Sequence, residues 1–275
     1  MLVSIVTPSY NQARFIERTI ESVLAQEGDF ELEYLVVDGG STDGTLEILR
    51  RYDGRLRWTS ERDRGQSDAL NKGFRVARGQ VLAWINSDDT YAPGAIQAAV
   101  EALSSSRARW AFGECRFVDE DDREIRRAIS RYKSWVSNRY SFRRLLGRNF
   151  IPQQACFFRR DLLEEVGSLV EGYRYAMDYD LWLRFGRVAE PVFIPRELAS
   201  FRWHGASTTA GKYTTSVMEA FRIAGSHARG LERLALAQHA VHLAGQVAVY
   251  RLMDLTSAAR ASRRAAHVEK PERRP

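Results

Sequence analysis

The amino-acid sequence predicts an α/β protein with a mainly parallel sheet flanked by helices. Apolar strand-like segments alternate with amphipathic helices four times within the first 105 residues, a pattern that is typical of parallel sheets. Residues 81–85 form a continuous apolar run between Gly79 and Asn86, as expected of a strand that is buried on both faces. After about residue 213 the chain becomes rich in Ala and Arg, which predicts a helical C-terminal extension.

The individual elements follow from the spacing of the apolar residues. Strands are predicted at 2–6, 32–37, 55–59, 81–85, 111–118, 153–158 and 192–194. Apolar residues three or four positions apart predict helices at about 15–24, 46–49, 69–74, 94–103, 160–167 and 178–185. Asn11 stands near the start of the first helix, Ser41 or Thr42 can cap the second, and Gly167 closes a later one.

The composition of the 275 residues is that of an ordinary globular enzyme, with 44% hydrophobic and 28% charged residues. No apolar stretch approaches the ~18 residues needed to span a bilayer, and the N-terminus does not resemble a signal peptide. Cys115 and Cys156 lack the spacing of metal ligands and are expected to be reduced thiols in a cytosolic protein. The net charge of +6 is compatible with a phosphorylated substrate, a membrane surface or nucleic acid.

Polar side chains follow each of the four strands of the first half. Tyr10, Asp38, Asp63 and Asp88 stand at the carboxyl ends, which is where ligands bind in parallel sheets. The pattern predicts one shared site; the alternative is that these residues only cap helices. Asp88 and the adjacent Asp89 repel each other and favour a cation, and oxygen ligands of this kind suit Mg²⁺ or Mn²⁺ shared with substrate phosphates.

A glycine-rich phosphate-binding motif does not follow the first strand. The sequence contains neither the dinucleotide fingerprint Gly-x-Gly-x-x-Gly at this place nor a P-loop. A nucleotide would therefore be held by side chains and a metal ion.

Four ordered motifs resemble those of family 2 glycosyltransferases. They are Thr-Pro-Ser-Tyr-Asn at 7–11, Val-Val-Asp-Gly-Gly-Ser-Thr-Asp-Gly-Thr at 36–45, Asn-Lys-Gly at 71–73 and Asn-Ser-Asp-Asp at 86–89. The resemblance covers roughly residues 1–210 and implies an inverting enzyme of the GT-A type, with a Rossmann-like nucleotide-binding sheet. It implies a domain of residues 1–212, with a nucleotide-sugar half (1–105) and an acceptor and catalytic half (106–212), followed by a helical extension (213–275) with a basic tail.

The resemblance also implies roles for residues of the donor site. Tyr10 would stack against the nucleobase, Pro8 would shape its pocket, and Asp38 would accept a hydrogen bond from the base. Arg64 and Lys72 would contact the diphosphate or an adjacent loop. Ordinary surface cations are the alternative for both.

The fourth motif is expected to bind the metal ion and the donor. Asp88 corresponds to the metal-binding carboxylate, whereas Asn86 replaces the first Asp of the family's Asp-x-Asp motif. Asn86 can bond a ribose hydroxyl but brings no charge, so the ion would depend mainly on Asp88. Ser87 belongs to the predicted donor-binding set, and Asp89 would face either the sugar or the following helix. His204 would complete the metal site or contact the diphosphate; an ordinary core or surface histidine is the alternative.

Asp178 is the catalytic base that the resemblance implies. It precedes a Leu-Trp-Leu-Arg segment, as in the family's Glu-Asp motif, although Met177 replaces the Glu. The acceptor hydroxyl must lose a proton as it attacks the anomeric carbon, and a carboxylate can accept that proton. The alternatives are that Asp178 only caps the helix and that Asp180 is the base. Residues 207–212 are predicted to form a loop that closes over the donor.

Residues 123–148 are strongly basic and contain interleaved aromatic residues. Their density of Arg and Lys favours contact with an anionic acceptor or a membrane surface over nucleic acid, with a solvated surface as the alternative. The C-terminal helices could pack on the core, form a homodimer or lie on a membrane.

The predicted activity is transfer of a sugar from a UDP-, GDP- or dTDP-linked donor to a glycan or lipid-linked acceptor, with Mn²⁺ or Mg²⁺ as cofactor. Assembly of a surface polysaccharide or glycolipid is the expected setting. The expected location is the cytoplasm, with peripheral contact at the inner face of the cell membrane as an option and no nucleic-acid partner. Two alternatives stay open, namely transfer to a polyprenyl phosphate and a nucleotide-sugar-binding scaffold without activity.

Overall fold

The computed structural model describes residues 1–127, 135–205 and 213–241. Its strands are β1 (Leu2–Ser9), β2 (Glu31–Asp38), β3 (Arg57–Ser60), β4 (Val81–Trp84), β5 (Thr90–Tyr91), β6 (Trp110–Val118), β7 (Glu124–Ile125), β8 (Cys156–Arg159) and β9 (Val192–Arg202). Its helices are α1 (Ile16–Leu24), α2 (Thr45–Arg50), α3 (Gln66–Val76), α4 (Ala95–Ser105), α5 (Phe142–Gly147), α6 (Arg160–Val166), α7 (Met177–Val188) and α8 (Tyr213–His227), with 3-10 turns at Gln153–Ala155 and Gly230–Glu232. The predicted closing loop at 207–212 lies outside the described residues.

Within the described ranges, nine strands form one sheet in the order β3-β2-β1-β4-β8-β6-β9-β5, with β7 paired to β6. β1 to β4 are parallel, which confirms the strand and helix alternation predicted for the first half. β8 runs antiparallel to both β4 and β6, and β9 is parallel to β6. Because Ser9 lies opposite Asp38 and Val6 lies opposite Trp84, the polar segments after β1, β2 and β4 emerge at one edge of the sheet.

Two elements of the second half differ from the prediction. Residues 153–155 form a 3-10 turn rather than the start of a strand, because the preceding Pro152 lacks an N–H for pairing and the Gln153 side chain bonds the Trp84 carbonyl instead (2.8 Å). β9 continues to Arg202 rather than ending at Ile194. The pairing register with β6 shifts just after Ile194, which leaves Pro195 without a partner and lets the strand pass through a proline.

The core lies on both faces of the sheet. Leu82 and Trp84 of β4 belong to one apolar cluster and Val81 and Ala83 to the other, as predicted for a strand buried on both sides. On the first face, the Trp182 ring of α7 stacks on Trp84 at 5.3 Å between ring centroids and on Trp110 at 5.9 Å. These contacts fix α7 against the centre of the sheet.

The first part of the C-terminal extension packs on the core. Ile223 and Ala224 of α8 are buried in the same cluster as α7. The Glu219 carboxylate accepts hydrogen bonds from the backbone N–H groups of Tyr175 and Ala176, at 2.6 and 2.8 Å, immediately before α7. A homodimer through these helices stays a prediction. No helix in the described part of the chain is both long enough and apolar enough to cross a membrane.

Candidate active site

The loop after β1 is interlocked with the loop after β2. Asn11, whose backbone is left-handed (φ 51°), donates its N–H to the Ser41 hydroxyl at 2.7 Å, and its side-chain oxygen accepts from the Thr42 N–H at 2.8 Å. Pro8 is buried within β1, beneath this junction. Tyr10 is 60% exposed beside it. The junction therefore presents an aromatic ring to solvent from a fixed backbone.

Asp38 is fully buried and holds the second loop together. One carboxylate oxygen accepts from the Ser41 N–H (2.8 Å) and the Ser60 hydroxyl (2.7 Å), and the other accepts from the Ser41 hydroxyl (2.5 Å). Asp38 has no exposed surface, so the hydrogen bond to a base that the sequence predicts is not offered in this conformation. The carboxylate shapes the loop instead, as Asp does in turns that bond its own backbone two or three residues on.

Asp88 and His204 meet at the carboxyl end of β4. The Asp88 carboxylate lies 3.0 Å from Nε2 of His204, although the two residues are 116 positions apart in the chain. The Asp88 side chain is 17% exposed and that of His204 is 3% exposed. The His204 ring also lies on Phe15, with 4.6 Å between ring centroids. The two predicted metal ligands are thus brought together.

The chemistry of this pair fits a divalent cation shared with a diphosphate. In the described part of the chain, no group of three or more His, Cys, Asp or Glu side chains is arranged to hold a metal. Mg²⁺ needs fewer protein ligands than that, because it is commonly bound by one or two carboxylates while substrate phosphates and water complete its octahedron. A carboxylate and an imidazole are both donors that Mn²⁺ accepts.

Asp89 is buried and anchors the motif through hydrogen bonds. It has no exposed surface, and its carboxylate accepts from the Gln154 side-chain amide (2.8 Å) and the Arg202 backbone N–H (2.9 Å). Burial and the neighbouring Asp88 carboxylate raise the pKa of Asp89 well above its usual range. Its predicted role in donor binding stays a prediction, and it would require the buried carboxylate to leave these partners. Ser87 is buried as well, at 5% exposed.

The N-terminus of α3 joins the motif to the start of α7. The Gln66 side-chain amide donates to the Asn86 side-chain oxygen at 2.6 Å. The next residue, Ser67, donates its hydroxyl to the Met177 sulfur at 2.7 Å. Met177, which stands where the family has Glu, is therefore an internal contact of this edge.

Asp178 follows directly in the first turn of α7 and is half-buried. One carboxylate oxygen accepts from the Tyr179 N–H at 2.7 Å. Burial and the Asp178 carboxylate raise the pKa of the Cys156 thiol. The preceding residue, Met177, bonds Ser67, and the neighbouring Gln66 bonds Asn86, so Asp178 stands at the same edge as the Asn86–Asp89 motif.

Asp180, the alternative base, is occupied by two basic side chains. Its carboxylate accepts from the Arg184 side chain at 2.9 Å and lies 2.8 Å from Nε2 of His227 on α8. Burial raises the pKa of Asp180, but the bonds to His227 and Arg184 outweigh it, so the pKa is lowered. An ionised carboxylate held by two partners is a poor proton acceptor, and its contacts are those of a structural pair between α7 and α8.

We expect Asp180→Asn to destabilise the protein by about 3 kcal/mol, because it removes the buried carboxylate that both Arg184 and His227 contact. For a chain of this size the melting temperature should fall by roughly 6 to 12 °C. A carboxylate whose pKa is lowered by folding stabilises the folded state at any pH above its pKa in the unfolded chain. This stabilisation is lost as the pH falls through its pKa in the folded protein. The difference between parent and variant in thermal melts should therefore be largest at neutral pH and shrink below about pH 4. Equal melting temperatures at pH 7 would contradict the structural role.

Arg64 and Lys72 are paired with carboxylates rather than pointing freely into the site. Both lie beside Asp68 of α3, at 3.1 and 3.4 Å, and Arg64 also pairs with Glu171 (2.9 Å) while Lys72 pairs with Glu61 (2.8 Å). The Arg64 side chain is 73% exposed, so its pairs are screened by solvent. To make the predicted contact with the diphosphate, Arg64 and Lys72 would have to leave these carboxylate partners.

The basic segment contains cations stacked on aromatic rings. The Arg126 guanidinium lies 3.8 Å from the ring centroid of Trp203, and that of Arg139 lies 4.5 Å from the ring centroid of Trp135. Arg131 and Lys133 lie outside the described residues.

Sequence reasoning missed three residues that hold the site, namely Gln66, Gln154 and Arg202. Glutamines carry no periodic signal, and an arginine at the end of a strand ordinarily predicts an exposed side chain. Only their long-range partners show what they do.

Comparison with known proteins identifies the class of protein. The chain belongs to glycosyl transferase family 2, which it matches over residues 4–167. It is 34% identical over 212 residues to an uncharacterized glycosyltransferase of Mycobacterium tuberculosis strain H37Rv, covering 75% of this chain and 77% of that protein. It is 30% identical over 214 residues to an uncharacterized glycosyltransferase of Rickettsia prowazekii, covering 76% of this chain and 66% of that protein. The protein is thus a glycosyltransferase.

Solved structures show the same fold at low identity. The mannosyltransferase PcManGT from Pyrobaculum calidifontis, in complex with GDP-Man and Mn²⁺, has a TM-score of 0.67 at 21% identity, covering 94% of this chain and 80% of that one. TarS of S. aureus, in complex with UDP-GlcNAc, has a TM-score of 0.63 at 17% identity, covering 82% of this chain and 66% of that one. These likenesses confirm the GT-A fold that the motifs implied.

Proposed function

We propose that the protein transfers a sugar, with inversion, from a nucleotide-diphospho-sugar to a hydroxyl group of a glycan or lipid-linked acceptor. The observation that carries this proposal is the Asp88–His204 pair, which lies at the same sheet edge as the exposed ring of Tyr10 and the first turn of α7. Support for the donor class comes from two relatives in fold that were solved with GDP-Man and with UDP-GlcNAc. Assembly of a surface polysaccharide or glycolipid, at the inner face of the cell membrane, is the setting we propose.

The mechanism follows from the chemistry that the residues at this edge can perform. Tyr10 stacks on the nucleobase. Asp88 and His204 would hold the divalent cation, which when bound would neutralise negative charge on the departing nucleoside diphosphate. Asp178 accepts the proton of the acceptor hydroxyl as its oxygen attacks the anomeric carbon. Attack from the face opposite the leaving group inverts the anomeric configuration.

Tyr10 offers a test of the nucleotide pocket. Stacking of a base on an aromatic ring is worth about 1–3 kcal/mol, so we expect Tyr10→Ala to weaken nucleoside diphosphate binding by roughly 5- to 150-fold. Tyr10→Phe keeps the ring and should bind nearly as the parent does. Calorimetric titration with UDP and GDP measures both variants. Unchanged affinity in Tyr10→Ala would place the base elsewhere.

Two departures from the family pattern favour a second candidate, a nucleotide-sugar-binding scaffold without turnover. Asn86 removes one carboxylate from the motif, and Met177 removes one from the start of α7. Slow hydrolysis of the donor, in which water replaces the acceptor, distinguishes a transferase from a scaffold, because only the transferase catalyses it. We expect the parent, incubated with Mn²⁺ and UDP-, GDP- or dTDP-linked sugars, to hydrolyse one of these donors to a nucleoside diphosphate and a free sugar. NMR of the newly formed sugar should show the inverted anomeric configuration. Tight binding of a donor with no release above the rate of the uncatalysed reaction would favour the scaffold.

A further inference from the structure

Arg202 is a buried arginine at the end of β9, with 1% of its surface exposed. Its guanidinium bonds at least four separate groups, one of which is the Glu120 carbonyl at 3.4 Å. Nε donates to the backbone carbonyl of Asp88 (2.9 Å), Nη1 donates to the carbonyl of Asp119 (3.0 Å), and Nη2 pairs with the Asp122 carboxylate (2.5 Å). A buried guanidinium is stabilised only when its donors are satisfied in this way.

The same residue also bonds the motif through its backbone. The Arg202 N–H donates to the Asp89 carboxylate at 2.9 Å. The Asp88–Asp89 dipeptide is therefore bonded by Arg202 at two points, once by its side chain and once by its main chain. Two residues further on, His204 contacts the Asp88 carboxylate at 3.0 Å. One short segment thus fixes the backbone of Asp88 and supplies the partner of its side chain.

The far side of the guanidinium is anchored to the turn at residues 119–122. The Asp122 carboxylate is shared with Arg18 of α1 at 2.9 Å, so this turn is itself tied to a helix of the core. Arg202 reaches from that fixed turn to the Asp88 carbonyl. A lysine has a single ammonium group and cannot bond the turn and the carbonyl in the fork geometry that a guanidinium allows.

We propose that Arg202 is a positioning residue of the donor site. By holding the Asp88 carbonyl it fixes the direction in which the Asp88 carboxylate points, toward His204 and a shared divalent cation. This role rests on the proposed function, in which Asp88 and His204 bind that cation. Arg202 does not itself touch the donor.

The test measures how tightly the Arg202→Lys variant binds Mn²⁺ in the presence of UDP or GDP. The electron paramagnetic resonance signal of the free ion reports how much Mn²⁺ stays unbound. Loss of a residue that orients a metal ligand commonly weakens metal affinity 10- to 100-fold, and we expect a rise of at least tenfold in the Mn²⁺ dissociation constant. Nucleotide affinity without metal should stay at the parent value. Arg196→Lys is the matched control, because Arg196 lies on the same strand and its guanidinium bonds the Pro93 carbonyl instead (2.8 Å).

A second variant keeps the test valid if Arg202→Lys does not fold. Asp122→Asn leaves Arg202 in place but removes its counter-charge at a half-exposed position, and we expect a several-fold rise in the same constant. A purely structural role would lower the melting temperature and leave Mn²⁺ affinity at the parent value in both variants, which would overturn the proposal. If the parent itself bound nucleotide without any response to Mn²⁺, the metal role in the proposed function would fall, and the positioning role with it.

Discussion

Asp178→Asn is expected to reduce kcat by about 10²- to 10⁴-fold, which is the range that a positioned general base contributes. Asparagine keeps the size and the polarity of the side chain at the start of α7, but its amide cannot accept the proton of the acceptor hydroxyl. The donor does not need that proton acceptor in order to bind. The dissociation constant for the nucleoside diphosphate should therefore stay within a few-fold of the parent value, and the loss should fall on kcat alone.

Asp161→Asn is the matched control for this variant. Asp161 also stands in the first turn of a helix, α6, and its carboxylate pairs with Arg109 at 3.3 Å on the surface. We expect this control to turn over as the parent does. Release of nucleoside diphosphate from the donor gives kcat, and calorimetry gives the binding constant. If Asp178→Asn retained turnover within about threefold of the parent, another group would have to be the base, whereas a joint loss of binding and turnover would indicate a structural role at the helix start.

Asp88→Ala is expected to cost about 10²- to 10³-fold in kcat, a loss similar to that seen when one charge-stabilising group of an active site is removed. In the structure the Asp88 carboxylate lies 3.0 Å from Nε2 of His204, and unlike the fully buried Asp89 its side chain is partly exposed (17%). Without it, a divalent cation would keep only the imidazole as a protein ligand. We therefore expect the stimulation of nucleotide binding by Mn²⁺ to disappear, while binding in EDTA remains at the parent level.

Asp121→Ala provides the control for the removal of an acidic side chain. Asp121 lies in the turn before β7, is 68% exposed and is 3.6 Å from Arg123. It should bind nucleotide and Mn²⁺ as the parent does. An Asp88→Ala protein that still required Mn²⁺ for nucleotide binding, with an unchanged metal constant, would mean that the ion is held elsewhere.

The first half of the fold could be predicted from sequence because β1, β2 and β4 are largely apolar and helices alternate with the strands. Local signals are enough when neighbours in sequence are neighbours in the sheet, as with β1 and β2. The second half depends on partners that are distant in the chain. The direction of β8, between β4 and β6, follows from partners that are distant in the chain, such as Val81 with Arg159 (159 − 81 = 78) and Phe112 with Cys156 (156 − 112 = 44), and no local pattern encodes them.

The candidate site was predicted in part, for a similar physical reason. The resemblance to a family paired Asp88 with His204, and the structure brings them within hydrogen-bond distance. It also assigned donor contacts to Asp38 and Asp89, both of which are fully buried and hold loops. A carboxylate at the end of a strand can point outward to a ligand or inward to backbone N–H groups. The residue type is the same in both cases, and only the surrounding donors decide between them.

The central claim is that this sheet edge binds a nucleoside diphosphate together with a divalent cation. The most direct measurement is calorimetric titration of the parent protein with UDP, GDP and dTDP, each with Mn²⁺ and each in EDTA. We predict that one of the three nucleotides binds, and that it binds more tightly with Mn²⁺ than in EDTA. The absence of binding by all three, with and without the ion, would contradict the donor site.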